Sequence, residues 1–122
     1  TQIENCIQAT KKVYGKKVVA VYEPHTFTRT KALFYNFVNA LSSADEVILL
    51  PTYSAREKLL KGGTSKDLYS TLLLKAKKVS YIKTYDKCLE ELKKATDSVI
   101  LILGAGSVYS LAEQIKRNYL HN

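Results

Sequence analysis

The sequence predicts a three-layer α/β domain of Rossmann-like order, with a mostly parallel sheet between helices. Three observations lead there. Four short apolar runs, at 18–21, 47–50, 79–82 and 99–103, are bounded by polar or glycine-containing segments. A stretch of helical periodicity separates each run from the next, so each connection is a crossover and the strands run parallel. The runs are largely continuous rather than alternating, the pattern of strands covered on both faces.

Each element can be justified in chain order. Thr1 and Glu4 have capping-box spacing, and Ile3, Cys6, Ile7, Val13 and Tyr14 mark a helical stripe that stops at Gly15. The run 18–21 is the first strand, and a loop is expected over 23–28. Leu33, Phe34, Phe37, Val38 and Leu41 then share one face of a second helix. Pro51 stops the strand at 47–50. A turn at Gly62-Gly63 leads to Ser65, read as the N-cap of a helix with Leu68, Leu72 and Ala76. After the strand at 79–82, Asp86 is read as the cap of a helix carrying Leu89 and Leu92. The last strand breaks at Gly104-Ala105-Gly106, where Ser107 opens a final helix with Leu111, Ala112 and Ile115. The order αβαβαβαβα occupies residues 1–122 as a single domain, without repeats or a long linker. It opens on a helix with no strand before it, and the chain contains no methionine. Both features fit a domain of a longer protein.

Composition narrows the function classes. A chain of 122 residues, 46% of them hydrophobic, buries roughly two-thirds of its unfolded surface on folding. No apolar run approaches the ~20 residues of a membrane span, and no signal-peptide layout is present. A cytoplasmic protein is expected, with Cys6 and Cys88 as buried, reduced thiols. Nineteen basic residues against eleven acidic ones leave a formal charge of +8. Sixteen of the nineteen are Lys, spread from Lys11 to Lys116 with pairs such as Lys11-Lys12 and Lys77-Lys78. Scattered lysines read as a solvated surface, and nucleic-acid or other polyanion binding is the alternative reading.

In open α/β sheets, ligands bind beyond the carboxyl ends of the strands. Three segments leave those ends: Glu23 to Thr30, Pro51 to Lys58, and Gly104 to Ser107. Two of only three arginines, Arg29 and Arg56, fall there. In a chain that otherwise uses Lys, an Arg points to a planar, bidentate carboxylate or phosphate partner. His25 follows a proline in the first segment. Gly104-Ala105-Gly106 can bring backbone N–H groups close to an anion, or can serve tight packing alone. No Cys/His grouping has zinc-ligand spacing. No G-x-x-x-x-G-K-[ST] loop is present. A receiver-like signalling domain is disfavoured, because the first strand lacks paired acidic residues at its end.

The run Pro24-His25-Thr26-Phe27-Thr28-Arg29-Thr30 resembles the P-H-R-[YF]-[ST]-R-T segment of the UDP-N-acetylmuramate–L-alanine ligases, a branch of the Mur ligase family. Ala44-Asp45-Glu46-Val47 through Tyr53-Ser54-Ala55-Arg56-Glu57-Lys58 is similar to their A-D-x-V…Y-x-A-[RG]-E segment. Gly104-Ala105-Gly106-Ser107-Val108 resembles their G-A-G-[DS]-[IV] turn. Thr1-Gln2-Ile3 looks like the residues that follow the family's H-H-P, so the likeness runs from end to end. Thr26 stands where the family usually has Arg, and Gln2 where Glu is common. Arg29 is therefore expected to carry more of the anion binding.

The resemblance implies the fold of the Mur ligase C-terminal domain and a role in peptidoglycan precursor synthesis. ATP phosphorylates the muramoyl carboxylate of UDP-N-acetylmuramate, and the amine of L-alanine attacks the resulting acyl phosphate. ATP and Mg would be bound mainly by a central domain, and the UDP-sugar by an N-terminal one. Neither cofactor is expected in this chain, nor is a metal site, a catalytic residue or activity in isolation. Expected substrate-binding residues are Arg29 as the main anion clamp, His25 as its orienting partner, and Gly104, Ala105, Gly106 and Ser107 as a backbone wall. Tyr53 and Arg56 take peripheral places.

Overall fold

The computed structural model describes residues 2–104 and Glu113. Among the described residues, four strands form one sheet: β1 (Lys17–Glu23), β2 (Glu46–Leu49), β3 (Val79–Tyr81) and β4 (Ser98–Gly104). Five helices interleave with them: α1 (Gln2–Tyr14), α2 (Phe27–Ala32), α3 (Phe34–Leu41), α4 (Ser65–Leu72) and α5 (Tyr85–Leu92). The spatial order is β3-β2-β1-β4, and every neighbouring pair is parallel. The expected three-layer α/β architecture is therefore present. From β1 the chain steps outward through β2 to β3, then crosses to the other side of β1 to place β4. The carboxyl ends of β1 and β4 thus form the switch point at which such sheets bind ligands.

Alternation along the strands divides the core in two. Val18, Ala20 and Tyr22 of β1 face Ile7, Val38, Leu41, Leu68 and Leu72 from α1, α3 and α4. Val19 and Val21 face Cys88, Leu89 and Leu92 of α5. That double cover explains why β1 reads as an unbroken β-branched run. Each fully buried aliphatic side chain contributes roughly 1.5–3 kcal/mol, so these two layers supply most of the driving force.

Local signals misplaced several boundaries. The stretch taken as a loop over 23–28 is shorter, because β1 runs through Glu23 and α2 begins at Phe27. The single helix expected there is two, broken at Leu33, which serves as C-cap of α2 and N-cap of α3. Thr64 rather than Ser65 caps α4, in a reciprocal capping box with Asp67. Thr84 rather than Asp86 caps α5, accepting from the Lys87 N–H. In both cases the hydroxyl stands three residues before the N–H it satisfies. Ala76 lies past the end of α4, which stops at Leu72. On α1 only Ile7 is fully buried, whereas Cys6, Val13 and Tyr14 are exposed. Cys6 therefore departs from the expectation of a buried thiol; Cys88 fits it, and both are free. Burial, reinforced by Glu91, pushes the Cys88 thiol up to about 11, which keeps it protonated and inert. The Thr1 cap and the final helix with Leu111, Ala112 and Ile115 lie outside the described residues.

Asp45 shows what the A-D-x-V motif does at the opposite, amino edge. Its carboxylate accepts from the Val18 N–H at 2.8 Å and pairs with Lys11 at 3.9 Å and Lys77 at 3.4 Å. Lys11 also donates to the Ser43 carbonyl. One side chain thereby joins α1, β1 and the turn before β2. The backbone donor from Val18, ahead of the two lysines, holds the Asp45 carboxyl below its ordinary value of 3.8. A carboxylate with a depressed value contributes stability above its unfolded-state value and loses it as pH falls through the folded one. The stabilisation is therefore complete at neutral pH and fades below about pH 4. Asp45→Ala should cost about 1.5–3 kcal/mol at pH 7 and flatten the acid side of a plot of Tm against pH. An unchanged acid slope would refute this.

Candidate functional site

The site is built on the backbone that continues past the sheet. Beyond β1 and β2 the chains stay in register for one more parallel bridge, between His25 and Tyr53. The Tyr53 N–H donates to the Pro24 carbonyl at 2.8 Å, and the Thr26 N–H to the Tyr53 carbonyl at 2.8 Å. The bridge brings the two rings together, stacked at 5.7 Å and 19°. Both side chains are exposed, Tyr53 by 44%. Two motifs separated by some thirty residues thus present a joint flat surface at the carboxyl rim.

Gly104 closes the other side of the rim. It pairs in register with Glu23, and an added Cβ would lie 2.6 Å from the Glu23 carbonyl oxygen. Its φ of +134° lies where a side chain is strained as well. Only glycine lets β4 approach β1 this closely at the switch point. Beneath it, Glu23 is buried and its Oε2 accepts from the Tyr85 hydroxyl of α5 at 2.7 Å. Ala105, Gly106 and Ser107 lie outside the described residues, so the proposed backbone wall is represented by Gly104 alone.

Arg29 is placed by α2. Thr26 caps that helix, accepting from the Arg29 N–H at 3.3 Å, so the residue in place of the family's arginine shapes the turn. The Arg29 guanidinium makes no hydrogen bond or ion pair among the described residues. Its charge acts on Tyr22, whose hydroxyl burial pushes up to about 12 against the opposing pull of Arg29. Arg29 lines a depression of about 220 Å³ with Gln2, Ile3, Leu33, Asn36 and Phe37. It therefore faces the start of α1, and no described contact joins it to His25, Tyr53 or Gly104.

Arg56 occupies a tight turn closed by the Glu57 N–H on the Ser54 carbonyl at 3.0 Å. Ala55 and Arg56 have φ of 51° and 69°, a conformation favoured by Asn or Gly and costing other residues roughly 1–2 kcal/mol each. The strain aims Arg56 outward, where it is exposed and without a partner among the described residues.

Glu57 is the residue that sequence reasoning missed. Its Oε1 accepts from the Phe27 and Thr28 N–H groups at 2.7 and 3.1 Å, and its Oε2 from the Thr28 hydroxyl at 2.6 Å. The second motif thus caps the helix of the first. The Thr28 hydroxyl is the leading cause holding the Glu57 carboxyl below its ordinary value of 4.5. Its place in the motif segment was the available signal. Glu57→Ala should raise hydrogen exchange of the Phe27 and Thr28 amides about five-fold; exchange at the wild-type rate would refute the cap.

Part of the positive charge is paired locally among the described residues. Lys11, Lys16, Lys77, Lys78 and Lys94 each pair with Asp45, Asp97, Glu46 or Glu91. Among the described residues no group of three or more His, Cys, Asp and Glu could hold a metal ion, and no helix is long and apolar enough to cross a membrane.

Residues 1–106 match the family model described as Mur ligase, glutamate ligase domain. The chain belongs to the Mur ligase family. It is 36% identical over 115 residues to the UDP-N-acetylmuramate–L-alanine ligase of Caldanaerobacter subterraneus subsp. tengcongensis, covering 93% of this chain and 25% of that protein. It is 38% identical over 117 residues to the enzyme of the same name from Caldicellulosiruptor saccharolyticus, covering 94% and 26%. The Mur ligase domain thus spans about a quarter of the length of these relatives. Its fold matches the crystal structure of UDP-N-acetylmuramate-alanine ligase from Thermotoga maritima, with a TM-score of 0.74 and 22% identity over 98% of this chain and 24% of that one.

Proposed function

We propose that this chain is the C-terminal domain of a UDP-N-acetylmuramate–L-alanine ligase, acting in the cytoplasm in peptidoglycan precursor synthesis. The observation that carries the reading is the identity of 36–38% with ligases of that name across more than nine-tenths of the chain. The rim geometry supports it. Arg56 offers there an exposed guanidinium fork for the carboxylate of the amino acid or for a phosphoryl group, while Arg29 faces the start of α1 and would serve such an anion from beside the rim. The His25–Tyr53 stack and Gly104 form a surface for a second domain to close against. Closure would accelerate the reaction by orienting the amine and excluding water. ATP with magnesium would supply the activation of the muramoyl carboxylate. The likeness to the ligases, of which this chain spans about a quarter, implies that N-terminal and central domains would hold the UDP-sugar and the nucleotide.

The test is an assay of the full-length protein for phosphate release that requires both UDP-N-acetylmuramate and an amino acid. L-Alanine should be the preferred amine over glycine and L-serine. Phosphate release that ignores UDP-N-acetylmuramate, or that prefers a D-amino acid, would overturn the assignment.

A further inference from the structure

A second concave feature lies beside the rim and is not used by the reading above. Phe27, Pro51, Leu59 and Tyr81 wall a groove of about 610 Å³ at the amino end of α4, with Lys61 and Lys66 at its edge. The first turn of α4 is almost fully satisfied. The Thr64 N–H donates to Asp67 Oδ2 at 3.1 Å, the Ser65 N–H to Thr52 Oγ1 at 3.0 Å, and the Asp67 N–H to Thr64 Oγ1 at 3.1 Å. The Lys66 N–H is left without an acceptor among the described residues, at the positive end of the helix dipole.

An independent feature points to a ligand. Ser65 lines the groove and is only 2% exposed, yet its hydroxyl has no hydrogen-bond partner. A buried, unpaired hydroxyl is a cost that native structures seldom carry without a use. Lys66 is also held in place, its Nζ 5.8 Å from the centre of the Tyr81 ring. One acidic residue, Asp67, also lines the groove, but its carboxylate is engaged by local donors. Its Oδ2 accepts from the Gly62 N–H, the Thr64 N–H and the Thr64 hydroxyl.

We propose that this groove binds an anionic oxo group, carboxylate or phosphate, carried on a flat apolar body. The Ser65 hydroxyl and Lys66 N–H would receive the oxygens, Lys61 and Lys66 would balance the charge, and Phe27, Pro51, Leu59 and Tyr81 would cover the apolar part. The inference does not depend on the ligase reading, because none of these side chains is among the proposed substrate-binding residues.

The experiment follows the Lys66 amide in full-length protein labelled with ¹⁵N-lysine, titrated with phenyl phosphate, benzoate, inorganic phosphate and phenol. Phenyl phosphate and benzoate separate the two sources of the anion; whichever fits should saturate the shift at about ten-fold lower concentration than inorganic phosphate or phenol. Ser65→Ala should weaken that ligand about ten-fold while leaving the Tm unchanged or higher, because the hydroxyl has no partner to lose. Lys66→Gln, followed at the Lys61 amide, should weaken it as well. The proposal is overturned if neither aromatic anion shifts the Lys66 amide, if phenol binds as well as both, or if Ser65→Ala lowers the Tm or leaves the affinity unchanged.

Discussion

Arg29→Ala in the full-length enzyme lowers kcat/KM for L-alanine by about two orders of magnitude or more, equivalent to ~2.7 kcal/mol of transition-state stabilisation. The expectation rests on the ligase reading and on where the side chain stands. Arg29 is exposed on α2 and unpaired among the described residues, so its loss removes no described hydrogen bond or ion pair from the fold. The backbone N–H that Thr26 accepts is retained by alanine. The thermal midpoint should therefore stay within a degree or two of wild type, in keeping with a surface change of about 0.5 kcal/mol or less. Arg29→Lys makes the stronger chemical statement, because it keeps the charge and removes the planar fork. If Arg29 grips a carboxylate or phosphoryl group in bidentate fashion, lysine should recover only part of the loss. Near-normal turnover by Arg29→Ala would end the clamp assignment, and the depression it shares with Gln2 and Ile3 would then be a packing feature of α1 and α3.

Gly63→Ala should be the most destabilising small substitution in the region, at about 3 kcal/mol. A Cβ at Gly63 would stand 2.1 Å from the Phe27 carbonyl oxygen and 2.9 Å from its carbon. These are backbone atoms at the first residue of α2, so no side-chain rotation relieves the clash. Either the segment after β2 moves or α2 does. Because Glu57 of that segment also caps α2, displacement of one loosens the other and re-aims Arg29. Denaturant unfolding would measure the loss. Gly15→Ala is the contrasting control, since nothing lies within 4 Å of a Cβ there and only its φ of +61° resists; it should cost about 1 kcal/mol. Equal effects at the two glycines would mean that Phe27 yields, and that the close approach does not organise the site.

The extent to which the site was legible follows from where its interactions lie in the chain. Strand cores, the alternation with helices and the three rim segments were all readable, because apolar periodicity is a local record of which faces are buried. The motif segments at 24–30 and 53–58 were also visible, whereas the close approach of Gly104 to Glu23 was not. The partnership between the segments was not. His25 meets Tyr53, and Phe27 and Thr28 meet Glu57, only after β1 and β2 have paired. Nothing in either segment alone shows that a carboxylate thirty residues away will finish its helix. The same holds for the caps: Ser65 and Asp86 were each credible locally, but the phase of each helix against the sheet selected Thr64 and Thr84.

Residue order alone was sufficient for the class of fold, the parallel sense of the strands and the family, because burial pattern, crossover length and motif spacing are written along one dimension. The lateral order β3-β2-β1-β4, the switch point beside Gly104, the exposure of α1's stripe and the orientation of Arg29 toward Gln2 depended on three-dimensional packing. Several strand orders satisfy the same alternation of elements, and the choice among them is made by side chains that become neighbours only when the layers close.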